Sequence, residues 1–335
     1  MKKECASVLK AVSLYSGGLD SQLAVCLLKD QGIEVVGVNF VTPFFGAEER
    51  FRLSAQQLGI EYHEINIGNI YMDILKNPVY GYGKNFNPCI DCHGFMLKNA
   101  GIFMQEIGAS FLVTGEVVGE RPMSQNKSSL NAVEKLSGYK GLILRPLSAQ
   151  LLPPTIPETE GWVDRSKLLA ISGRNRTPQM QLAEHYGIKD YPTPAGGCLL
   201  TQENFSKRLR MLLAVKPEAG ADEMEILKVG RHFYIADDQL LVVGRNHAEN
   251  ERLNDLAADD DYLLKVIDRP GPLGLIRSIN HSNTVDLELP AAIVARYSDA
   301  RDLPVAQIEV ARPGVKEKIM MEVTPLPASA VPPTV

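Results

Sequence analysis

From residue 8 an apolar segment, VLKAVSLY, stops at Ser16-Gly17-Gly18, passes Leu19-Asp20-Ser21, and leads into an apolar-periodic stretch, QLAVCLLKDQ. A buried strand that turns through two glycines into a helix start leaves few folds open. Glycine permits tight backbone conformations and a close approach. The exposed amides and the positive dipole end of the helix draw phosphate oxygens. Ser16 and Ser21 add hydroxyl donors, and Asp20 can hold a magnesium ion that bridges phosphates. The loop is too short for a Walker site and lacks its Gly-Lys-Ser/Thr, and it lacks the Gly-x-Gly-x-x-Gly spacing of dinucleotide folds.

The pattern around this loop repeats. IEVVGVNFV (33–41) reads as a second buried strand, 47–59 as an amphipathic helix closed by Gly59, and IEYHEINI (60–67) as a third strand. A helix over 92–107, a strand in SFLVTGEV (110–117) and another in GLILRPLS (141–148) follow. Alternating strands and helices predict βαβ units and a parallel sheet, and right-handed crossovers make it doubly wound. Short helices are expected in 164–173 and 178–187, and a basic helix over 203–215. The texture then changes. The reading is an α/β domain over 1–216 with a mostly parallel sheet, a linker at 217–222, a smaller α+β domain over 223–325, and a disordered tail at 326–335. At 335 residues the chain is long enough for two such cores. No run approaches the roughly 20 apolar residues of a membrane helix, and the N-terminal pattern is a first strand rather than a secretory leader, so a cytoplasmic protein is expected. Five cysteines, an odd number, argue against a disulfide framework. A net charge of −5 gives no global attraction to nucleic acid, so any RNA contact must be local.

SGGLDS after the first strand of a βαβ unit resembles the PP-loop of the N-type ATP pyrophosphatases. That resemblance implies cleavage of ATP between its α- and β-phosphates, with AMP left on a substrate oxygen. Ser16, Gly17, Gly18, Asp20 and Ser21 would cradle the pyrophosphate and Mg2+. Asn39 and Phe40 end the second strand, where the family's backbone contacts adenine. Thr114 and Gly115, with Glu116, end the fourth, where its Thr-Gly-(His/Glu) segment lies near ribose and phosphate.

NPCIDCHGF places Cys89 and Cys92 after Pro88 at the start of a helix, a position that lowers a thiol's pKa. Cys198 follows far along the chain, after two glycines; Cys5 and Cys26 carry no such context. Pro-Cys-x-x-Cys with a late cysteine resembles the tRNA thiouridylases of the PP-loop family, and the resemblance makes Asp20, Cys89 and Cys198 catalytic. Two sulfur chemistries fit. In one, Cys89 and Cys198 carry and resolve a persulfide. In the other, Cys89, Cys92 and Cys198 hold a [4Fe-4S] cluster with one iron open to hydrosulfide. Zinc with His93 as fourth ligand, and three unconnected thiols, stay as alternatives.

Between 164 and 216, nine basic residues (Arg165, Lys167, Arg174, Arg176, Lys189, Lys207, Arg208, Arg210 and Lys216) stand against four acids. Such a patch suits a phosphate backbone, and SGRNRTPQM reads as an RNA-facing loop. The last domain, from VVGRNHAENERLNDLA to PVAQIEV, resembles the NFACT-R module, an RNA-binding domain. It departs from that pattern at Leu263 or Leu264, where the family has an aromatic, and at Gly271-Pro272-Leu273, where it has Gly-Ser-His. Together the resemblances imply an ATP-dependent tRNA uridine thiolase. Its partners would be tRNA and a sulfur donor, either sulfide or a persulfide carrier protein; no membrane is involved, and a homodimer is left open. The rivals are a PP-loop enzyme that adenylates a carboxylate or sulfurates a small molecule, and a non-catalytic RNA-binding protein.

Overall fold

The first strand, β1 (Lys10–Leu14), is apolar on both faces, with Ala11 and Val12 each wholly buried. Such a strand must be covered on both sides. In the computed structural model, which describes residues 9–46, 48–192, 197–236, 238–279 and 285–335, it is the centre of a five-stranded parallel sheet. The chain runs outward through α1 (Leu19–Lys29), β2 (Glu34–Val41), α2 (Glu49–Gln57) and β3 (Glu61–Asn66). It returns through α3 (Gly68–Lys76) and α4 (Cys89–Glu106) to β4 (Phe111–Thr114) on the other side of β1. Then α5 (Lys127–Ser137) leads to the two-residue β5 (Ile143–Leu144). The sheet order is β3-β2-β1-β4-β5, as expected for a doubly wound fold. On one face Ala24, Val25 and Leu28 of α1 pack with Ala11, Val35, Phe111 and Val113. Helix α4 also packs on β1 and β4, so both faces are covered.

Two helices in this sheet's connections, α3 and α5, were not assigned from sequence. Asn126 caps α5 by accepting from the Ser129 amide (2.9 Å), and Gly138 ends it in the left-handed region. The segment 164–173, expected to be helical, forms only a 3-10 turn at Arg165–Lys167. Arg165 is the reason: it pairs with Glu158 and donates to the carbonyls of Ala149 and Leu152, pinning the chain in a loop. The four-residue α6 (Ile156–Thr159) precedes it and α7 (Thr177–His185) follows.

The chain divides into two compact units, Met1–Thr201 and Gln202–Val335. The basic helix α8 (Glu203–Val215) therefore belongs to the second unit. Its Arg208 donates to the carbonyls of Leu227 (2.9 Å) and Gly230 (3.0 Å) and to the main-chain oxygen of Val335 (3.0 Å). The stretch read as a linker is folded there: Lys216 pairs with Glu223 at 2.5 Å, and Glu223 accepts from the Gly220 amide at 2.6 Å. The tail read as disordered is tied in as well. The Leu326 amide donates to Ala292 (3.1 Å), the Val335 amide donates to His232 (3.1 Å), and Leu326 and Val331 pack on the core. A proline-rich segment that lacks its own ladder can still be held by another element's carbonyls.

The second unit is a six-stranded antiparallel sheet. Its strands are β6 (Arg231–Ala236), β7 (Gln239–Val243), β8 (Tyr262–Val266), β9 (Gly274–Ser278), β10 (Ala306–Ala311) and β11 (Ile319–Val323). They are ordered β11-β10-β8-β9-β7-β6. Helix α9 (His247–Leu256) follows β7, and α10 (Glu288–Arg296) buries Ala291, Ile293 and Val294 in the core. No described helix is long and apolar enough to cross a membrane.

A buried ion cluster braces the first unit. Glu116, just past β4, accepts from Arg145 Nε (2.9 Å) and from Thr114 Oγ1 (3.1 Å), and pairs with His93 Nδ1 of α4 (2.9 Å). Arg145 and Glu116 are only 4% and 6% exposed. Burial alone would push the Glu116 carboxyl up, but the Arg145 guanidinium and the His93 ring outweigh it and hold it at about 2. A depressed carboxylate stabilises the fold above its ordinary value of 4.5, and that contribution is lost as pH falls from there towards about 2. Arg145→Met should cost about 3–5 kcal/mol in denaturant melts at pH 7, because it strands a buried charge. Combining it with Glu116→Gln should recover much of that loss and flatten the acid limb of the stability–pH curve.

Candidate functional site

Strand order reverses on either side of β1, so the carboxyl ends of β1 and β4 form a crevice, the place where open α/β sheets bind ligands. Leu14 pairs with Thr114, so the Ser16–Ser21 loop leaves the sheet beside Thr114-Gly115. Helix α1 begins at Leu19 with Gly18 as N-cap, and no side chain caps it. Its first amides are thus available to an anion. The loop is held from behind. The Gln22 amide donates to the carbonyls of Gly17 (2.8 Å) and Asp190 (3.1 Å), and Ser21 Oγ donates to Gly18 (2.8 Å). Two glycines are required by contact. Gly17 has φ +65°, and a Cβ there would stand 2.3 Å from the Phe51 ring. A Cβ on Gly115 would stand 2.5 Å from the Asp20–Ser21 backbone.

A cavity of about 620 Å³ opens at this point. Its walls come from the loop (Ser16, Gly18, Asp20, Ser21), the end of β2 (Asn39, Phe40) and the turn after β4 (Thr114, Gly115). Gly17 stands behind the wall against Phe51. The Asn39 side chain is turned inward, donating to the Tyr15 carbonyl at 3.0 Å. His93 and Glu116 form part of another wall, and Glu120, Arg121, Arg174 and Arg176 line the mouth beside Asp20. None of the last four was assigned to a nucleotide site from sequence. They are gathered by a backbone staple between distant loops, a parallel bridge of Val118 with Ser172 and a 2.8 Å bond from the Gly173 amide to Val118.

Burial pushes the Asp20 carboxyl up, against the pull of Arg176. Glu120 is pushed up by burial and by the charge of Asp20. Asp20 Oδ1 is buried without a hydrogen-bond partner. Two desolvated carboxylates, one with an orphaned oxygen, suit a hard divalent ion, and magnesium uses one or two carboxylates together with phosphate oxygens. The residues present fit Mg2+.

The three cysteines do not line this cavity, but their chain neighbours His93 and Gly197 do. Cys89 is the first residue of α4, and the Asn87 amide donates to its Sγ at 3.1 Å. Cys198 is placed by the Leu199 amide, which donates to Phe44 (3.0 Å), and by the Asn85 side chain, which donates to Thr201 (2.6 Å). All three thiols act electrostatically on the buried hydroxyl of Tyr71, and Cys92 and Cys198 both feel Cys89. Tyr71, on α3, is wholly buried among Phe44, Phe45 and Phe95, and its hydroxyl has no hydrogen-bond partner among the described residues. The expectation of a lowered thiol pKa is overturned at Cys92. Burial drives it well above its ordinary value despite the helix start, and burial pushes Cys198 up to about 11. His93 Nδ1 is paired with Glu116. Among the described residues no three His, Cys, Asp or Glu side chains form a metal-holding group, so the thiols as placed do not fit a cluster. Cys5 lies outside the described residues.

The basic stretch is split between the two units, with Arg165 and Arg208 bound to carbonyls and Lys207 and Lys216 paired with Glu203 and Glu223. Arg174 and Arg176 face the cavity.

Residues 7–150 match the family described as thiamine biosynthesis protein (ThiI), and residues 230–333 match the NFACT protein RNA binding domain. Among curated proteins the chain is 34% identical over 128 residues to the tRNA-specific 2-thiouridylase MnmA of Clostridium acetobutylicum, covering 32% of this chain and 35% of that protein. It is 34% identical over 156 residues to the MnmA of Trichlorobacter lovleyi, covering 42% and 43%. The chain thus spans well under half the length of these relatives. A solved 4-thiouridine synthetase–RNA complex with bound ATP aligns over 54% of this chain and 43% of that one, with a TM-score of 0.40 at 24% identity. The similarity to known families thus falls in two separate stretches, residues 7–150 and residues 230–333.

Proposed function

We propose that this protein is an ATP-dependent tRNA uridine thiolase acting in the cytoplasm. One observation carries the reading: an uncapped helix start and a carboxylate pair share one cavity, which the chain neighbours of Cys92 and Cys198 also line. The ThiI-family match supports it. A uracil carbonyl oxygen is a poor leaving group until adenylated. That oxygen attacks the α-phosphorus, the bond to the bridging oxygen breaks, and pyrophosphate leaves. Sulfur then attacks the ring carbon and AMP departs. Ser16, Gly17, Gly18 and Ser21 receive the phosphates, Asn39 and Phe40 the adenine, and Thr114 and Gly115 the ribose side. Asp20, with Glu120 beside it, would hold Mg2+, which draws charge from the phosphates when bound. The NFACT-type domain holds tRNA.

Cys89 and Cys198 deliver the sulfur, which a persulfide carrier protein supplies: the receiving thiolate attacks the carrier's outer sulfur and the carrier thiolate leaves, so the transfer needs no oxidant. A persulfide on one cysteine attacks the activated carbon and expels AMP, leaving a mixed disulfide. The other thiolate attacks the carrier cysteine's sulfur and releases the thiouridine, leaving a Cys–Cys disulfide that an external dithiol reduces. Because the three thiols as placed form no metal-holding group among the described residues, the [4Fe-4S] alternative enters only as an outcome of the test below.

Asp20→Asn should abolish tRNA-stimulated pyrophosphate release while keeping the fold. The Asp20 pKa is raised, so its ionisation costs stability above its usual range, a cost that disappears as pH falls through the raised value. The variant should therefore melt no lower than wild type at pH 7. Normal release by Asp20→Asn would remove the ATP assignment. Nucleoside mass spectrometry on treated tRNA tests the sulfur step. Cys89→Ala and Cys198→Ala should each make no thiouridine while still releasing pyrophosphate. Cys92→Ala should keep much of its activity as colourless, iron-free protein. If Cys92→Ala is inactive and the wild type binds about four irons per chain, the cluster replaces the persulfide pair.

A further inference from the structure

The strongest feature that the proposed function leaves without a role is the arginine group at the cavity mouth. Arg176 precedes α7 and is 16% exposed. Its Nη2 lies 3.7 Å from Asp20 Oδ2 and its Nε 3.9 Å from Glu120 Oε1. Both separations are too long for hydrogen bonds. Nε is buried and has no hydrogen-bond partner among the described residues. A guanidinium stripped of water ordinarily recovers its bonds through a two-pronged contact with an oxyanion. Here the guanidinium has two carboxylates near it but hydrogen-bonds to neither, in a cavity shared with Arg121 and Arg174 and with the uncapped start of α1. Its Nε donor has no partner among the described residues.

We infer that Arg176, flanked by Arg121 and Arg174, binds the β- and γ-phosphates of ATP and stabilises the departing pyrophosphate, rather than contacting RNA backbone. The inference rests on the proposed function. As the carbonyl oxygen bonds to the α-phosphorus, the electron pair of the broken bond stays on the β-phosphate oxygen, and negative charge grows there. A preplaced cation meets that growing charge without the reorganisation that water would need. Asp20 and Glu120 hold the arginine in place, and a metal bound to them would turn its charge towards the phosphates. The staple between Val118 and Ser172–Gly173 fixes both loops, so the group needs no large motion to assemble.

The test uses full-length wild type, Arg176→Ala and Arg176→Lys. Three quantities are measured: affinity for inorganic pyrophosphate with Mg2+ by calorimetry, pyrophosphate release in a single turnover with saturating tRNA, and the salt dependence of tRNA binding. Arg176→Ala should bind pyrophosphate at least about tenfold more weakly and release it about 10²–10³-fold more slowly, with an unchanged salt slope. Arg176→Lys should recover part of the affinity but less of the rate, since it restores charge without the planar fork. The inference is overturned if both pyrophosphate measurements are unchanged in Arg176→Ala. It is equally overturned if the salt slope falls by about 1 while release at saturating tRNA is normal, the mark of a lost RNA phosphate contact. A wild type that releases no pyrophosphate with tRNA defeats the proposed function; weakened pyrophosphate binding by Arg176→Ala would still establish the subsite.

Discussion

Gly115 passes so close to the Asp20–Ser21 backbone that no Cβ fits between them, and much of the site follows from that approach. It places the turn after β4 against the first turn of α1. Two strand ends and an uncapped helix start then open into one space. A side chain at 115 would force the β4 turn away from the helix, and Glu116 would move with it.

The same cavity holds carboxylates in opposite conditions. Glu116 is paired with Arg145 and His93 and kept ionised at about 2, so it serves as a brace. Asp20 and Glu120 are desolvated and only loosely paired, so both are pushed up. The contrast follows from geometry: a 2.9 Å bond to Arg145 offsets burial, whereas 3.7 and 3.9 Å approaches to Arg176 do not. The first arrangement is satisfied within the protein, and the second is left for a ligand to complete.

On the sulfur side, burial outweighs the helix dipole. Cys92 sits in the first turns of α4, yet its surroundings favour the neutral thiol. The Tyr71 hydroxyl is buried beside it. Packing against Phe44, Phe45 and Phe95 holds the ring there.

Local pattern was enough for the sheet strands, the glycine turn before α1 and helix α8, because apolar periodicity, paired glycines and cap residues act over a few residues. It also marked Ser16, Asp20, Ser21, Asn39, Thr114 and the three cysteines as candidates. It could not find Tyr71, Arg145, Glu120 or Arg121, whose partners lie far along the chain. Nor could it tell that Arg174 and Arg176 share a cavity with the Ser16–Ser21 loop, since a count of nearby charges does not say where a backbone staple will carry them. The sequence by itself determined the βα alternation and the chemistry available at each position. Only the tertiary structure decided which arginines bind within the protein and which thiols are buried. It also decided that the proline-rich tail is held, because burial and long-range pairing depend on neighbours that linear order does not specify.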